Sequence, residues 1–388
     1  MIDSALLPFD FQPRTRVVFG PGRLAALGEL ARELEARRVL VVSDPGIIGV
    51  GHAARGVAAL RKASLDVLLF EGVHENPTTA DVQAGLATAR DYQPDLIVGL
   101  GGGSSMDCAK GINFLYTNGG RMQDYWGVGK ATRPMLPMIA VPTTAGTGSE
   151  MQSFALITDA ETRVKMACGD KKASFRLALL DPELTLTQPE RITALTGIDA
   201  LSHALETYVT RPRNPASLAF SREAWLLLAA SLDRVFDRPD SLTARTGMQL
   251  GACFAGLAIE NSMLGATHAL ANPLTAAYGI AHGQAIGVML PHVIRFNGAS
   301  VDRWYVELLE RTAGTDGLPR PRDGAGGLAD FVARRVAHAG LPGRLADCGV
   351  ERERLEELAA DAARQWTAQF NPRPVDQPAL LSLYESAF

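Results

Sequence analysis

The chain has 388 residues, 47% of them hydrophobic and 21% charged, enough to bury more than one core. Its 38 Lys and Arg against 42 Asp and Glu leave a formal charge of −4 with both signs interspersed, which argues against a nucleic-acid partner. No run reaches the roughly 20 apolar residues that span a bilayer, the amino terminus has Asp3 and Asp10 instead of a basic flank before an apolar core, and Cys108, Cys168, Cys253 and Cys348 lack C-x-x-C spacing, so the expectation is a cytoplasmic protein with reduced thiols and no membrane partner.

In chain order, a strand precedes Gly20, and the apolar runs Val39–Ser43, Val67–Phe70, Leu96–Leu100 and Met138–Val141 read as further strands. Helix-patterned stretches such as Arg23–Arg38 and Ala80–Tyr92 lie between them. Continuous apolar strands each followed by a helix predict a parallel sheet covered on both faces. Asp44 follows the strand 39–43, where a carboxylate either accepts hydrogen bonds from ribose hydroxyls or simply caps a helix. After the strand 95–100 comes Gly101-Gly102-Gly103-Ser104-Ser105 and then a helix from Met106, a turn whose bare backbone suits a pyrophosphate but also serves as an ordinary tight turn. Pro142 to Glu150 (PTTAGTGSE) crowds hydroxyls at the carboxyl end of the next strand, for a polar ligand or for capping.

After Asp181-Pro182 the strand-like runs stop, and long Ala/Leu-rich stretches such as Ser217–Val235 and Gly247–Ala271 predict helices. The expected division is a dinucleotide-binding α/β domain over 1–183 and a helical metal-binding domain over 184–388, with Ala313–Gly327 as a surface connection. In TGIDALSHALE, Asp199 and His203 are four apart and share one helix face. His268 is expected late in a helix ended by Pro273, and His282 in a turn between Gly279 and Gly283. One carboxylate and three imidazoles suit a divalent first-row ion, although any one of them alone reads better as a packing or surface group. Glu206, one turn after His203, is a fifth candidate but reads better as a helix carboxylate facing solvent; His52, His74 and His338 read as packing or surface residues, and His292 as a structural residue or a support to the ligands rather than a ligand.

The stretches GGGSSMDCAK, PTTAGTGSE, TGIDALSHALE and GATHALANPLTAAYGIAHGQAIGVMLPHV together resemble the iron-containing, or group III, alcohol dehydrogenase family, in family order and over nearly the whole chain. The resemblance implies a dehydroquinate synthase-like fold: an α/β dinucleotide-binding domain with a parallel sheet, then an all-helical domain, assembled as a homodimer or larger homo-oligomer. It implies Asp199, His203, His268 and His282 as ligands of iron or, alternatively, zinc. It further implies Asp44, Asn76, Gly102, Gly103, Ser104, Thr143, Thr144, Thr147 and Lys165 as the residues that hold NAD. The expected activity is hydride transfer between NAD(H) and a small alcohol or diol and its aldehyde or ketone, with the metal as Lewis acid.

Asn272 stands where the family commonly has a second histidine and Thr275 where it has a glycine. One turn beyond His268, Asn272 is expected to approach the substrate without being able to relay a proton. Gln152 and Ile259 replace an expected threonine and aromatic, and are pocket or packing candidates. The alternatives are a metal-free reductase resembling maleylacetate reductase, in which the first ligand is altered, and a catalytically silent nucleotide-binding protein.

Overall fold

A computed structural model describes residues 8–315 and 317–388. It divides into two compact units, Gln12–Gln188 and Pro189–Phe388, with residues 8–11 grouped with the latter. The unit border thus lies a few residues beyond the expected 183/184, because the short turn Pro182–Thr185 still belongs with the sheet: Asp181 caps that turn and also accepts hydrogen bonds from Gly22 and Leu24.

In the first unit, β1 (Arg16–Phe19), β2 (Arg38–Val42), β3 (Asp66–Phe70), β4 (Leu96–Gly101), β6 (Met138–Pro142) and β9 (Leu177–Leu180) form a parallel sheet in the order β1-β9-β6-β4-β2-β3. The central strands β4 and β6 are buried along their whole length, which is why they read as unbroken apolar runs. From β2 the chain moves outward to β3, whereas from β4 it moves the opposite way to β6. The adjacent carboxyl ends of β2 and β4 therefore form a topological switch point, where parallel sheets open a crevice for ligands.

A second, three-stranded sheet, β5 (Gly127–Val128), β8 (Lys165–Gly169) and β7 (Phe154–Thr158), has no counterpart in the sequence reading. Strand β5 has only two residues and β8 (KMACG) carries lysine, cysteine and glycine, so neither alternation nor an apolar run marks them, whereas β7 (FALIT) is a short apolar run that the sequence reading passed over. The expected helix 23–38 is shorter, with a tight turn at Arg23–Ala26 and an α-helix over Leu27–Glu33 that stops as Glu35 enters the left-handed region at φ 61°.

The second unit is built of helices, chiefly Glu190–Val209, Pro215–Asp237, Leu242–Asn261, Ala266–Tyr278, His282–Glu310, Gly324–His338, Leu355–Ala363 and Gln377–Ala387. Asn214 accepts from the amides of Ala216 and Ser217 and so starts the second of these, with Pro215 at its first position. The expected helix 247–271 is two helices, interrupted at Ser262–Gly265. Pro273 does not end its helix, which runs on to Tyr278 and stops at Gly279 in the left-handed conformation. Helix 190–209 is buried on every side from Ile198 to Val209, so its polar residues must find partners inside the protein. Among the described residues no helix is long and apolar enough to cross a membrane.

Candidate nucleotide turn and metal centre

At the switch point the residues singled out for NAD are joined to one another. Gly101 ends β4 at φ 154°, and a Cβ there would lie 2.3 Å from Ser105 Oγ and 2.9 Å from Asp44 Oδ2, so only glycine fits. Gly102 caps the helix Gly103–Asn118 but has no side chain to bond its first-turn N–H groups, which leaves them to an anion. Thr143 donates its amide to Gly101 O at 2.9 Å, while its own hydroxyl is buried without a hydrogen-bond partner at the end of β6. The Asn76 amide donates to Ser104 Oγ at 3.2 Å, and Lys165 Nζ reaches Asn76 Oδ1 at 3.4 Å from β8. Thr144 and Thr147 flank Gly102 and Gly103. Asp44 does cap a short helix, accepting from Ile47 N at 3.1 Å, and its other oxygen accepts from Ser105 Oγ at 2.9 Å. Gln152 donates to Thr147 O at 2.7 Å and thereby holds this loop.

The loop also contains Glu150, in the tight turn Ser149–Met151 and only 3% exposed. Burial pushes its pKa up to about 7, against the opposing pull of a backbone hydrogen bond and of the Lys110 charge. A carboxyl whose folded pKa lies above its unfolded value binds the proton more tightly in the native state, so stability falls as pH rises from the unfolded range through about 7. Glu150→Gln removes that ionisation. The melting temperature of E150Q relative to the parent is therefore expected to rise between pH 5 and pH 8, by a free energy on the order of 3 kcal/mol in the limit. A difference that is flat in pH refutes the assignment.

In the helical unit, Asp199 and His203 lie on the buried face of helix 190–209, His268 on the first turn of helix 266–278, and His282 at the start of helix 282–310 instead of in the expected turn. Gly283 permits this: a Cβ would sit 2.1 Å from Leu195 O, so any larger residue would force helix 282–310 away from helix 190–209. The Nε2 atoms of His203, His268 and His282 stand 3.3, 3.6 and 3.8 Å from Asp199 Oδ1, a buried oxygen that receives no hydrogen bond of acceptable geometry. The Nε2 atoms of His203 and His268 are 3.1 Å apart. Ligand atoms of Asp199, His268 and His282 all lie within 4.8 Å of one another. Burial opposes the Asp199 charge, but the three imidazoles outweigh it and hold the carboxyl well below the usual range.

Glu206 is the residue the sequence reading misplaced. It is 4% exposed rather than solvent-facing: its Oε2 accepts from His268 Nδ1 at 2.6 Å and its Oε1 from Thr267 N at 2.7 Å. Burial lowers the basicity of His268, yet Glu206 and Asp199 together raise its pKa to about 9. Glu206 holds the Nδ1 proton, and the negative field that favours a second proton on Nε2, beside Asp199, favours a divalent cation in its place. Three residues after His203, Glu206 returns to the same side of the helix, the spacing that made it a fifth candidate in the sequence. Asn272 donates to Gln365 Oε1 at 3.0 Å, and Ile259 is a buried packing residue. His52 is buried and bonded to Thr187, His74 pairs with Asp81, and His338 with Asp233 and Asp237.

A parallel sheet with an anion-ready glycine turn at its switch point, followed by helices that gather a carboxylate and three imidazoles, defines a nucleotide-dependent enzyme class with a candidate metal centre. Residues 13–182 match the iron-containing alcohol dehydrogenase family, and residues 193–388 match its carboxy-terminal part. The chain is 34% identical over 383 residues to 1,3-propanediol dehydrogenase of Citrobacter freundii, covering 98% of this chain and 99% of that one. It is 33% identical over 357 residues to NAD-dependent methanol dehydrogenase of Bacillus methanolicus, covering 92% and 93%. The solved structure of a 1,3-propanediol oxidoreductase superposes with a TM-score of 0.94 at 33% identity, over 98% of this chain and all of the other. The chain belongs to the iron-containing alcohol dehydrogenase family and is an NAD-dependent alcohol oxidoreductase.

Proposed function

We propose that this enzyme interconverts a small alcohol or diol and its aldehyde or ketone with NAD(H), using one divalent metal held by Asp199, His203, His268 and His282. The observation that carries the reading is the convergence of three imidazole nitrogens on a buried carboxylate oxygen that has no hydrogen-bond donor. One oxygen and three nitrogen donors fit a first-row divalent ion, iron first and zinc as the alternative. When bound, such an ion supplies Lewis acidity to the alcohol oxygen.

The protein's own residues do the rest. Glu206 fixes the His268 tautomer and, through the Thr267 amide, the start of helix 266–278. The Gly102–Ser104 turn, with Thr143, Thr144 and Thr147, holds the pyrophosphate, and Asn76 and Lys165 complete the dinucleotide site. Asp44 accepts from the adenine ribose hydroxyls and repels a 2′-phosphate. Asn272 replaces an ionisable imidazole by an amide, so it orients substrate or water and leaves proton release to solvent or the ribose. A cytoplasmic setting and a homodimer or larger homo-oligomer are the location and assembly that family membership favours.

The test is steady-state kinetics on a panel of short alcohols and diols and their aldehydes, with iron- and zinc-loaded protein and both nicotinamide cofactors. The expected outcome is metal-dependent NADH turnover with NAD preferred over NADP, and a narrowed preference in Asp44→Gly. No turnover on any member, or equal kcat/KM for both cofactors in the parent, contradicts the reading.

A further inference from the structure

Helix 266–278 holds His268 in its first turn yet is poorly equipped to hold itself. Gly265 stands at its start without a side chain to bond the free amides of that turn, and Pro273 inside it has no amide to offer the carbonyl of Ala269 four residues back. The missing partners come from elsewhere in the helical unit. Glu206 takes the Thr267 amide, and Asn371 Oδ1 takes the Ala266 amide at 3.2 Å, from 105 residues further along the chain. Beyond His268, Tyr384 donates to Leu270 O at 2.6 Å.

Asn371 is 1% exposed, and its amide is used to capacity. Oδ1 also accepts from Asn297 Nδ2 at 3.2 Å, while Nδ2 donates to Asn297 Oδ1 and to Arg373 O, both at 2.7 Å. Because Ala266 N can only donate, the amide has one orientation. The residue follows the tight turn Trp366–Phe370, whose last carbonyl accepts from Arg211 N at 2.9 Å, just past the end of helix 190–209. Gly265 leaves the room for this: a Cβ there would lie 3.0 Å from Asn371 Oδ1 and 3.2 Å from Glu206 Oε1. Asn297 lies on helix 282–310, the helix that begins with His282. We propose that Asn371 is a positioning residue of the metal centre: it bridges the start of the His268 helix to the His282 helix, and so sets the separation of the two imidazoles and the affinity for the metal.

Leucine at 371 keeps the branched shape but leaves the Ala266 amide without an acceptor and cuts the bridge to Asn297. This inference rests on the reading of Asp199, His203, His268 and His282 as metal ligands. The experiment is the Zn²⁺ affinity of Asn371→Leu by chelator competition, beside NADH titration and a melt of the metal-free protein. The Zn²⁺ Kd is expected to rise at least about tenfold, with the NADH Kd within about twofold of the parent. Tyr384→Phe is the control for general loosening, since it removes a buried hydrogen bond to the same helix beyond His268: its melting temperature should fall while its Zn²⁺ Kd stays within about twofold. A folded N371L with parent-like Zn²⁺ affinity overturns the proposal, and so does an equal weakening in Y384F. Should N371L fail to fold, Asn297→Ser decides, because it opens the paired amides and leaves the Ala266 amide its acceptor: a Zn²⁺ Kd raised about threefold or more supports the bridge, and an unchanged one overturns it. His268→Ala separates the two readings. If it loses metal while N371L does not, only the Asn371 inference fails; if H268A keeps its metal, the ligand reading itself fails.

Discussion

His268→Ala is expected to purify with little metal and to lose at least about 100-fold in metal affinity, because it removes one ligand of four and frees Glu206 from its partner. Activity falls with it, whereas NADH affinity stays, since none of the residues assigned to the nucleotide belongs to the helical unit. The companion Glu206→Gln keeps every ligand. Its amide matches the single acceptor it retains to only one of the two donors, His268 Nδ1 or Thr267 N, and an amide nitrogen facing Nδ1 drives the imidazole proton to Nε2, where a metal would bind. A loss of roughly 10- to 100-fold in metal affinity is expected for E206Q, with Glu206→Asp recovering part of it. Chelator competition and elemental analysis on folded protein measure both. Parent-like metal content in His268→Ala would remove the ligand assignment, and parent-like affinity in E206Q would reduce Glu206 to packing.

The second large effect is expected at Gly101. Alanine there must hold φ near 154° and place a Cβ 2.3 Å from Ser105 Oγ and 2.9 Å from Asp44 Oδ2. The strain, about 1–3 kcal/mol for such a backbone, is relieved by moving the turn, which shifts the Gly102 and Gly103 amides and breaks the Ser105 bond to Asp44 together. G101A should therefore lose more than about tenfold in NADH affinity while keeping its metal. Isothermal titration with NADH and metal analysis on the same preparation test this, and undiminished NADH binding in a folded variant counts against the turn as the pyrophosphate site. Together the two variants separate a metal function of the helical unit from a nucleotide function of the α/β unit.

Much of this was legible in one dimension. The apolar runs of β2, β4 and β6 declare themselves because central parallel strands are buried on both faces, so nearly every position, not every second one, must be apolar; the edge strand β3 is only partly buried. Asp199 and His203 announce a shared helix face by spacing alone, and the glycine turn after β4 is visible because close backbone approach excludes side chains. Tertiary structure decided the rest. Periodicity reports which face of a helix is apolar, but helix 190–209 is enclosed on every side, so Glu206 could be placed inside only once helix 266–278 was seen to supply its donors. Pro273 looked like a stop because local sterics disfavour it, and packing around the helix overrode that preference. Lys110 ends the stretch GGGSSMDCAK, yet nothing local says that its ammonium is buried: its three acceptors lie 39 to 44 residues away along the chain, and the burial can be recognised only after the fold has brought two carbonyls and a hydroxyl to it.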